Sequence, residues 1–186
     1  PKDSGIVYCL SRKRVDELAS SLKDDGIRAL PYHAGLNADT RRANQDAFIR
    51  DDVQVIVATI AFGMGINKPD VRWVVHYDLP KTMEGYYQEA GRAGRDGLKA
   101  DCLLYFGVGD LKTAEFLIAQ KVDPQTGAPL EAEQRVAKQQ LRKVLDYAES
   151  SECRRAIQLR YFGEAFDGPC GACDNCNDPK PVEDWK

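Results

Sequence analysis

Two groups of residues in this chain have types and spacings that could do chemistry. In the stretch Gln88–Gly97, Arg92 and Arg95 stand three apart, a spacing that on a helix puts both on one face. Gly91, Gly94 and Gly97 remove side chains around them. A glycine inside a helix costs about 1 kcal/mol against alanine, so this density points to close approach of a backbone or of a bulky anion. Two guanidinium forks beside such a surface suit phosphate, because each donates two parallel hydrogen bonds. The plainer alternative is a solvated arginine face. The second group is Cys170-x-x-Cys173-x-x-Cys176, with Cys153 sixteen intervening residues upstream. Four cysteines close a tetrahedral site of the structural zinc type, whereas a catalytic zinc keeps one position open. Disulfides are the competing explanation, and they belong to oxidising compartments. Cys9 and Cys102 fall inside strand patterns and read as small buried hydrophobes.

The elements that must hold these groups follow from periodicity. Ile6–Leu10, Arg28–Tyr32, Val53–Ala58, Val71–His76 and Cys102–Phe106 are short apolar runs that read as strands. Between them lie amphipathic helices. Ser11 is a candidate N-cap before a face of Val15, Leu18 and Leu22, closed by Gly26. Asn37 or Asp39 caps a helix through Arg50 with Ala43, Ala47 and Phe48 inward, and Thr82 caps one carrying Met83, Tyr86, Tyr87 and Ala90. Apolar strands alternating with such helices predict an α/β fold, a parallel sheet flanked by helices, over residues 1–108. Composition then shifts. Asp110 starts a helix with Leu111, Phe116, Leu117 and Ile118, and residues 123–129 form a turn-rich linker. Ala137, Leu141, Val144, Leu145 and Ala148 make a helical stripe, and a short helix follows over about 153–162. Residues 109–178 are expected to be a small helical metal-binding subdomain. Residues 179–186 read as a tail or a linker to a missing domain.

The chain has 186 residues, a net charge of −3 and a pI of about 5.5. A domain of this size buries roughly 68–70% of its unfolded surface, so a real core is expected. A mildly acidic chain has no general attraction for nucleic acid, so any DNA contact must be local. No run approaches the roughly 18 apolar residues of a membrane span, and no membrane partner is expected. Pro1 runs quickly into an apolar strand without a starting Met, which suggests a piece of a longer protein.

Gln88-x-x-Gly91-Arg92-x-x-Arg95 resembles motif VI of the superfamily 2 helicases. Ala58–Pro69, with its Ala-Phe-Gly-Met-Gly-Ile core, resembles motif V of the RecQ family in particular. The cysteine pattern resembles the RecQ zinc-binding subdomain, and the likeness runs from about Gly5 to Cys176. It implies the second RecA-like lobe of an ATP-dependent 3′ to 5′ DNA helicase acting in repair and recombination, with the zinc subdomain attached. Cys153, Cys170, Cys173 and Cys176 would bind structural Zn²⁺. Arg92 and Arg95 would face the ATP phosphates, Arg95 as arginine finger. Asn67 would touch the ribose, although many relatives carry Asp there, and Gln88 would orient the arginines or couple to the first lobe, the alternative being a plain surface helix residue. Ser11 and Arg12 match motif IV, His33 the loop after the next strand, and Thr59 opens motif V; these would meet DNA. A hydrogen-bonded structural role is the alternative for His33. Arg154 and Arg155 would contact duplex phosphate or lie on a solvated helix face. The chain contains no P-loop and no Asp-Glu-x-His, so ATP and Mg²⁺ would be shared with a first lobe lying elsewhere, and this chain alone would be inactive. Expected partners are single-stranded and junction DNA, that first lobe, and a single-strand-binding protein. The expected location is the bacterial cytoplasm at the nucleoid, or a eukaryotic nucleus. The readings from other classes are a non-enzymatic, zinc-stabilised DNA- or protein-binding module and an RNA-acting helicase.

Overall fold

The computed structural model of the protein describes residues 3–59, 62 and 66–179. Ile60, Ala61, Gly63, Met64 and Gly65 of the motif V-like stretch lie outside these residues, as does the expected tail beyond Pro179. Among the described residues, no helix is long and apolar enough to cross a membrane.

Five parallel strands, β1 (Ser4–Tyr8), β2 (Ala29–Tyr32), β3 (Val55–Ala58), β4 (Val71–His76) and β5 (Asp101–Leu104), form one sheet in the order β2-β3-β1-β4-β5. The helices α1 (Arg12–Asp24), α2 (Ala38–Ile49) and α3 (Met83–Ala90) connect them. The connections β2 to β3 and β4 to β5 step across the sheet in one direction, and β1 to β2 steps in the other. Right-handed crossovers then require α2 and α3 on one face and α1 on the opposite face. Alternate strand residues divide accordingly. Val7, Cys9, Val55 and Val57 pack with Val15 and Ala19 of α1. Ile6, Tyr8, Ile56, Ala58 and Val74 pack with Phe48 of α2 and with Phe62 and Ile66 from the β3–β4 connection.

The start signals act as the residue types require. The side chains of Ser11, Asn37 and Thr82 accept the N–H groups of Arg14 (3.2 Å), Thr40 (2.7 Å) and Gly85 (3.0 Å); each such cap contributes about 1 kcal/mol. Helix α1 ends with Gly26 at a left-handed φ of 80°, as its place after the last helical turn demands. Several expectations are corrected. The fifth strand is β5, beginning one residue early and ending at Leu104. Because it is an edge strand, Cys102 is exposed. Ala43, expected inward, is exposed too: α2 buries only Phe48 fully, while α3 turns Met83, Tyr86 and Glu89 inward and leaves Tyr87 exposed.

Beyond the sheet lie α4 (Val108–Ala119), α5 (Glu131–Glu149), α6 (Arg154–Tyr161) and the single turn α7 (Asp174–Asn177). Leu141, Val144, Leu145 and Tyr147 of α5 join Leu79, Met83 and Tyr86 from the sheet side in one core. The helical part is therefore docked on α3, with Phe116 of α4 left exposed.

Candidate functional site

The first arginine lies just past the end of α3. The helix stops at Ala90, with Gly91 as C-cap, and the N–H groups of Arg92 and Ala93 bond back only three residues, to Glu89 (3.2 Å) and Ala90 (3.1 Å). Arg92 and Arg95 therefore sit on a tight turn, which corrects the expectation of one helical face. Gly94 explains why the helix cannot continue. Its φ is +63°, and a Cβ there would lie 2.7 Å from the Leu98 carbonyl oxygen. The close approach foreseen for these glycines is, at Gly94, that of the chain's own backbone.

The turn is fastened from below. Gly94 N–H donates to the Val71 carbonyl (2.9 Å) and Asp96 N–H to that of Pro69 (3.1 Å). Arg72 donates one Nη to both Asp96 carboxylate oxygens at 2.6 Å, its other Nη to the Lys99 carbonyl at 3.1 Å and its Nε to the Asp70 carbonyl at 3.0 Å. This fork holds the Asp96 carboxyl below the usual carboxylate range. On the fixed turn Arg95 is exposed, its Nε bonded to the Gly91 carbonyl at 3.0 Å. Arg92 is half-buried, and its Nε is buried with no partner among the described residues. A buried donor without an acceptor costs about 1–3 kcal/mol, and the Arg92 side chain also lies against the Tyr8 phenol, whose ionisation it favours.

Residues 66–70 lead into the start of β4 beside the arginine turn, where the Pro69 and Val71 carbonyls accept from it. Phe62 and Ile66 lie in the core. Lys68 is 4% exposed, its ammonium 2.7 Å from Asp51 and 3.1 Å from Asp70. Asn67, exposed between the buried Ile66 and Lys68, stands next to the segment that holds residues 94–96. Gln88 is exposed one turn before Arg92. Asn67, Arg92 and Arg95 are in this way brought to one side of the sheet.

The other candidates gather at the opposite, C-terminal ends of three neighbouring strands. Ser11 and Arg12 follow β1, His33 follows β2 and Thr59 follows β3; Thr59 N–H bonds the Tyr32 carbonyl at 3.2 Å. Ser11 and Arg12 are exposed and Thr59 is half-buried. His33 is different. It is 5% exposed, its Nδ1 accepts Gly35 N–H at 3.1 Å, and its Nε2 lies 3.0 Å from an Asp16 carboxylate oxygen. The Nδ1 bond leaves the proton on Nε2, so both ring nitrogens are occupied. His33 shapes its loop and has no ring nitrogen left for a phosphate.

The four cysteines of the sequence pattern converge, with all four sulfurs within 4.8 Å of one another. A Zn–S bond of about 2.3 Å puts tetrahedral sulfurs about 3.8 Å apart, and Cys170 and Cys176 are 3.9 Å apart. All are free thiols, so the donor set fits zinc and not a disulfide. Burial raises the Cys153 thiol. N–H donors from Ala156 and Cys170, with the neighbouring Cys170 and Cys176, outweigh burial and bring it down to about 6; a metal ligand needs the thiolate form. Backbone N–H groups also reach sulfur directly, Arg154 to Cys173 and Cys173 to Cys170, each at 3.4 Å.

Arg154 has a role beside the cysteines that sequence reasoning did not assign. It does not lie on a solvated face. Its guanidinium grips both Asp174 carboxylate oxygens at 3.1 Å and donates to the Tyr147 carbonyl. The available signal was that each partner directly follows a cysteine ligand, Arg154 after Cys153 and Asp174 after Cys173. Arg155 is exposed.

The family model "Helicase conserved C-terminal domain" matches residues 1–97, and the model "RecQ zinc-binding" matches residues 108–177. The chain is 47% identical over 176 residues to the ATP-dependent DNA helicase RecQ of Pasteurella multocida, covering 95% of this chain and 27% of that protein. It is 43% identical over 182 residues to the protein of the same name from Bacillus subtilis, covering 98% of this chain and 30% of the relative. The chain thus spans under a third of the length of these relatives. Among solved structures, it is similar to a DEAD box protein from the hyperthermophile Methanococcus jannaschii. The TM-score is 0.54 at 27% identity, over 74% of this chain and 34% of that one.

Proposed function

The chain belongs to the RecQ family and comprises its helicase C-terminal region and its zinc-binding region, and from this premise we propose that it is the second lobe of an ATP-driven DNA-unwinding motor. The first lobe, outside this chain, grips ATP and Mg²⁺. Arg92 and Arg95 complete the site from across the cleft. Their charge offsets the negative charge that builds on the transferring phosphoryl group, an effect worth roughly 10³–10⁵ in rate in other NTPases. Arg95, exposed, is the finger; Arg92, half-buried, sits behind it. Asn67 meets the ribose, and Gln88 faces the first lobe.

On the strand ends, Ser11, Arg12 and Thr59 hold the DNA backbone. Hydroxyls and a guanidinium at this edge position a strand without reading its sequence, which is the need of a motor that must pass over every base. The His33 loop supports this edge indirectly. Closure of the lobes on ATP and release after hydrolysis moves the protein 3′ to 5′ along one strand. Cys153, Cys170, Cys173 and Cys176 hold one structural Zn²⁺, which supplies cross-linking and no open coordination position.

The observation that carries this reading is the clamped turn. Arg72 and Asp96 fix a loop that carries two arginines, Arg95 exposed and Arg92 half-buried with a buried Nε that has no partner among the described residues. The chain by itself is expected to show no ATP turnover above the blank, with or without DNA, in an assay cleared of contaminating ATPases. Turnover at the level of the complete enzyme contradicts the two-lobe assignment.

A further inference from the structure

A line of buried polar groups joins the arginine turn to the metal-binding subdomain, and the phosphate chemistry above does not use it. His76, at the end of β4, is 1% exposed, and Glu89, on α3, is 9% exposed. Their side chains meet at 2.8 Å between Nε2 and Oε2. A buried carboxylate persists only when paired, so the two fix each other. The imidazole is held between two aromatic rings. Tyr8 stacks on it at 5.4 Å between ring centres, and Tyr86 lies at 4.9 Å.

Each ring leads to one end of the line. The Tyr86 hydroxyl accepts from that of Tyr147 at 3.3 Å, and Gln158 Nε2 donates to Tyr147 at 2.9 Å. The Arg154 guanidinium lies 5.4 Å from the Tyr147 ring centre while it grips Asp174, beside the ligand Cys173. On the other side, the Tyr8 hydroxyl donates to the Phe62 carbonyl at 3.1 Å. Burial pushes the Tyr8 phenol up, Arg92 pulls it back, Glu89 raises it and Arg95 lowers it, so this hydroxyl lies within the fields of both the carboxylate and the two guanidiniums. The Glu89 carbonyl accepts Arg92 N–H at 3.2 Å, a main-chain bond that places the two residues on the same turn.

A second observation marks the same place. Among the described residues, the buried side-chain nitrogens without a partner are His76 Nδ1 and Arg92 Nε. Folded proteins leave few such atoms, and here both occur on one network.

We infer that the Glu89–His76 pair, braced from the zinc subdomain by Tyr147 through Tyr86, is a positioning device that sets the seat of Arg92. The inference rests on the proposed role of Arg92 at the triphosphate. None of the four touches the nucleotide. They act by fixing the guanidinium where a displacement of about 1 Å costs up to roughly 100-fold in rate.

The test is a double-mutant cycle in the full-length enzyme, with DNA-stimulated ATP turnover, zinc content and thermal melting read together. Glu89→Ala is expected to lower kcat by about 10- to 100-fold with KM for ATP little changed and zinc fully bound. Tyr147→Phe, which removes one hydroxyl and keeps the ring, is expected to lower kcat in the same sense at full zinc content. Combining Glu89→Ala with Arg92→Ala is expected to be no slower than Arg92→Ala alone, since two groups that act as one lose their effect once. If Glu89→Ala does not fold, Tyr8→Phe takes its place in the cycle. Losses that multiply, or wild-type kcat in both Glu89→Ala and Tyr8→Phe beside an impaired Arg92→Ala, overturn the positioning role and leave the functional reading intact. Wild-type kcat in Arg92→Ala overturns the functional reading itself.

Discussion

Replacing Arg95 with Ala in the full-length enzyme is expected to lower DNA-stimulated ATP turnover by about 10³-fold or more, with ATP affinity close to normal. The size follows from where the charge acts. A guanidinium that meets the phosphoryl group only as its charge develops stabilises the transition state and not the bound substrate, so the loss falls on kcat. The structure gives reason to expect a clean result. Arg95 is exposed and, among the described residues, its side chain makes one hydrogen bond, to the Gly91 carbonyl, while the turn is held by Arg72, Asp96 and backbone bonds from Gly94 and Asp96. Truncating Arg95 leaves all of those in place. Arg95→Lys is expected to recover little, because a point charge on a flexible stem does not reproduce the planar fork. Turnover equal to wild type in Arg95→Ala removes the residue from the mechanism.

Replacing Cys173 with Ser is expected to abolish stoichiometric zinc binding and to make residues 110–178 protease-sensitive, with the sheet of residues 4–104 remaining resistant. Structural zinc contributes about 10–16 kcal/mol of binding free energy in small zinc peptides, and that binding is folding free energy. Cys173 is also a node in the local backbone. Its sulfur accepts Arg154 N–H, its own N–H reaches Cys170 sulfur, and it precedes α7. Serine there offers a harder oxygen ligand at a shorter reach. The helical subdomain has a partial core of its own in Leu141, Val144 and Leu145, but residues 163–178 contribute little apolar burial and depend on the ligand cross-link. A Cys173→Ser protein that retains one zinc per chain argues against this ligand set.

Much of the frame was legible in the sequence because local signals and tertiary demands agree there. Val71–His76 forms the expected strand, bounded by a turn before it and by Leu79-Pro80 after it. Ser11, Asn37 and Thr82 cap helices because each has an oxygen at the right reach from its own backbone. The stripe of α5 is a clean helical period. The cysteines converge as their spacing required. What sequence reading missed depends on contacts far apart in the chain. Nothing local tells that the pattern running through Gln88 breaks at Gly91, since the break is set by Gly94 meeting the backbone of Leu98 and Val71. Cys102 looked buried because its strand is apolar, yet an edge strand leaves one side open. The burial of Lys68 needs Asp51 and Asp70 from either side, which no local pattern announces. The His76–Glu89 pair joins a strand to a helix thirteen residues on, and neither residue type at those positions signals the other.

The most direct measurement is a structure of the full-length enzyme with a non-hydrolysable ATP analogue seated between its lobes. The expected result is the Arg95 guanidinium within hydrogen-bond reach, roughly 2.7–3.2 Å, of a γ-phosphate oxygen, with Arg92 beside it. Both guanidiniums turned to bulk water, away from the cleft, with every nucleotide bound contradicts the account.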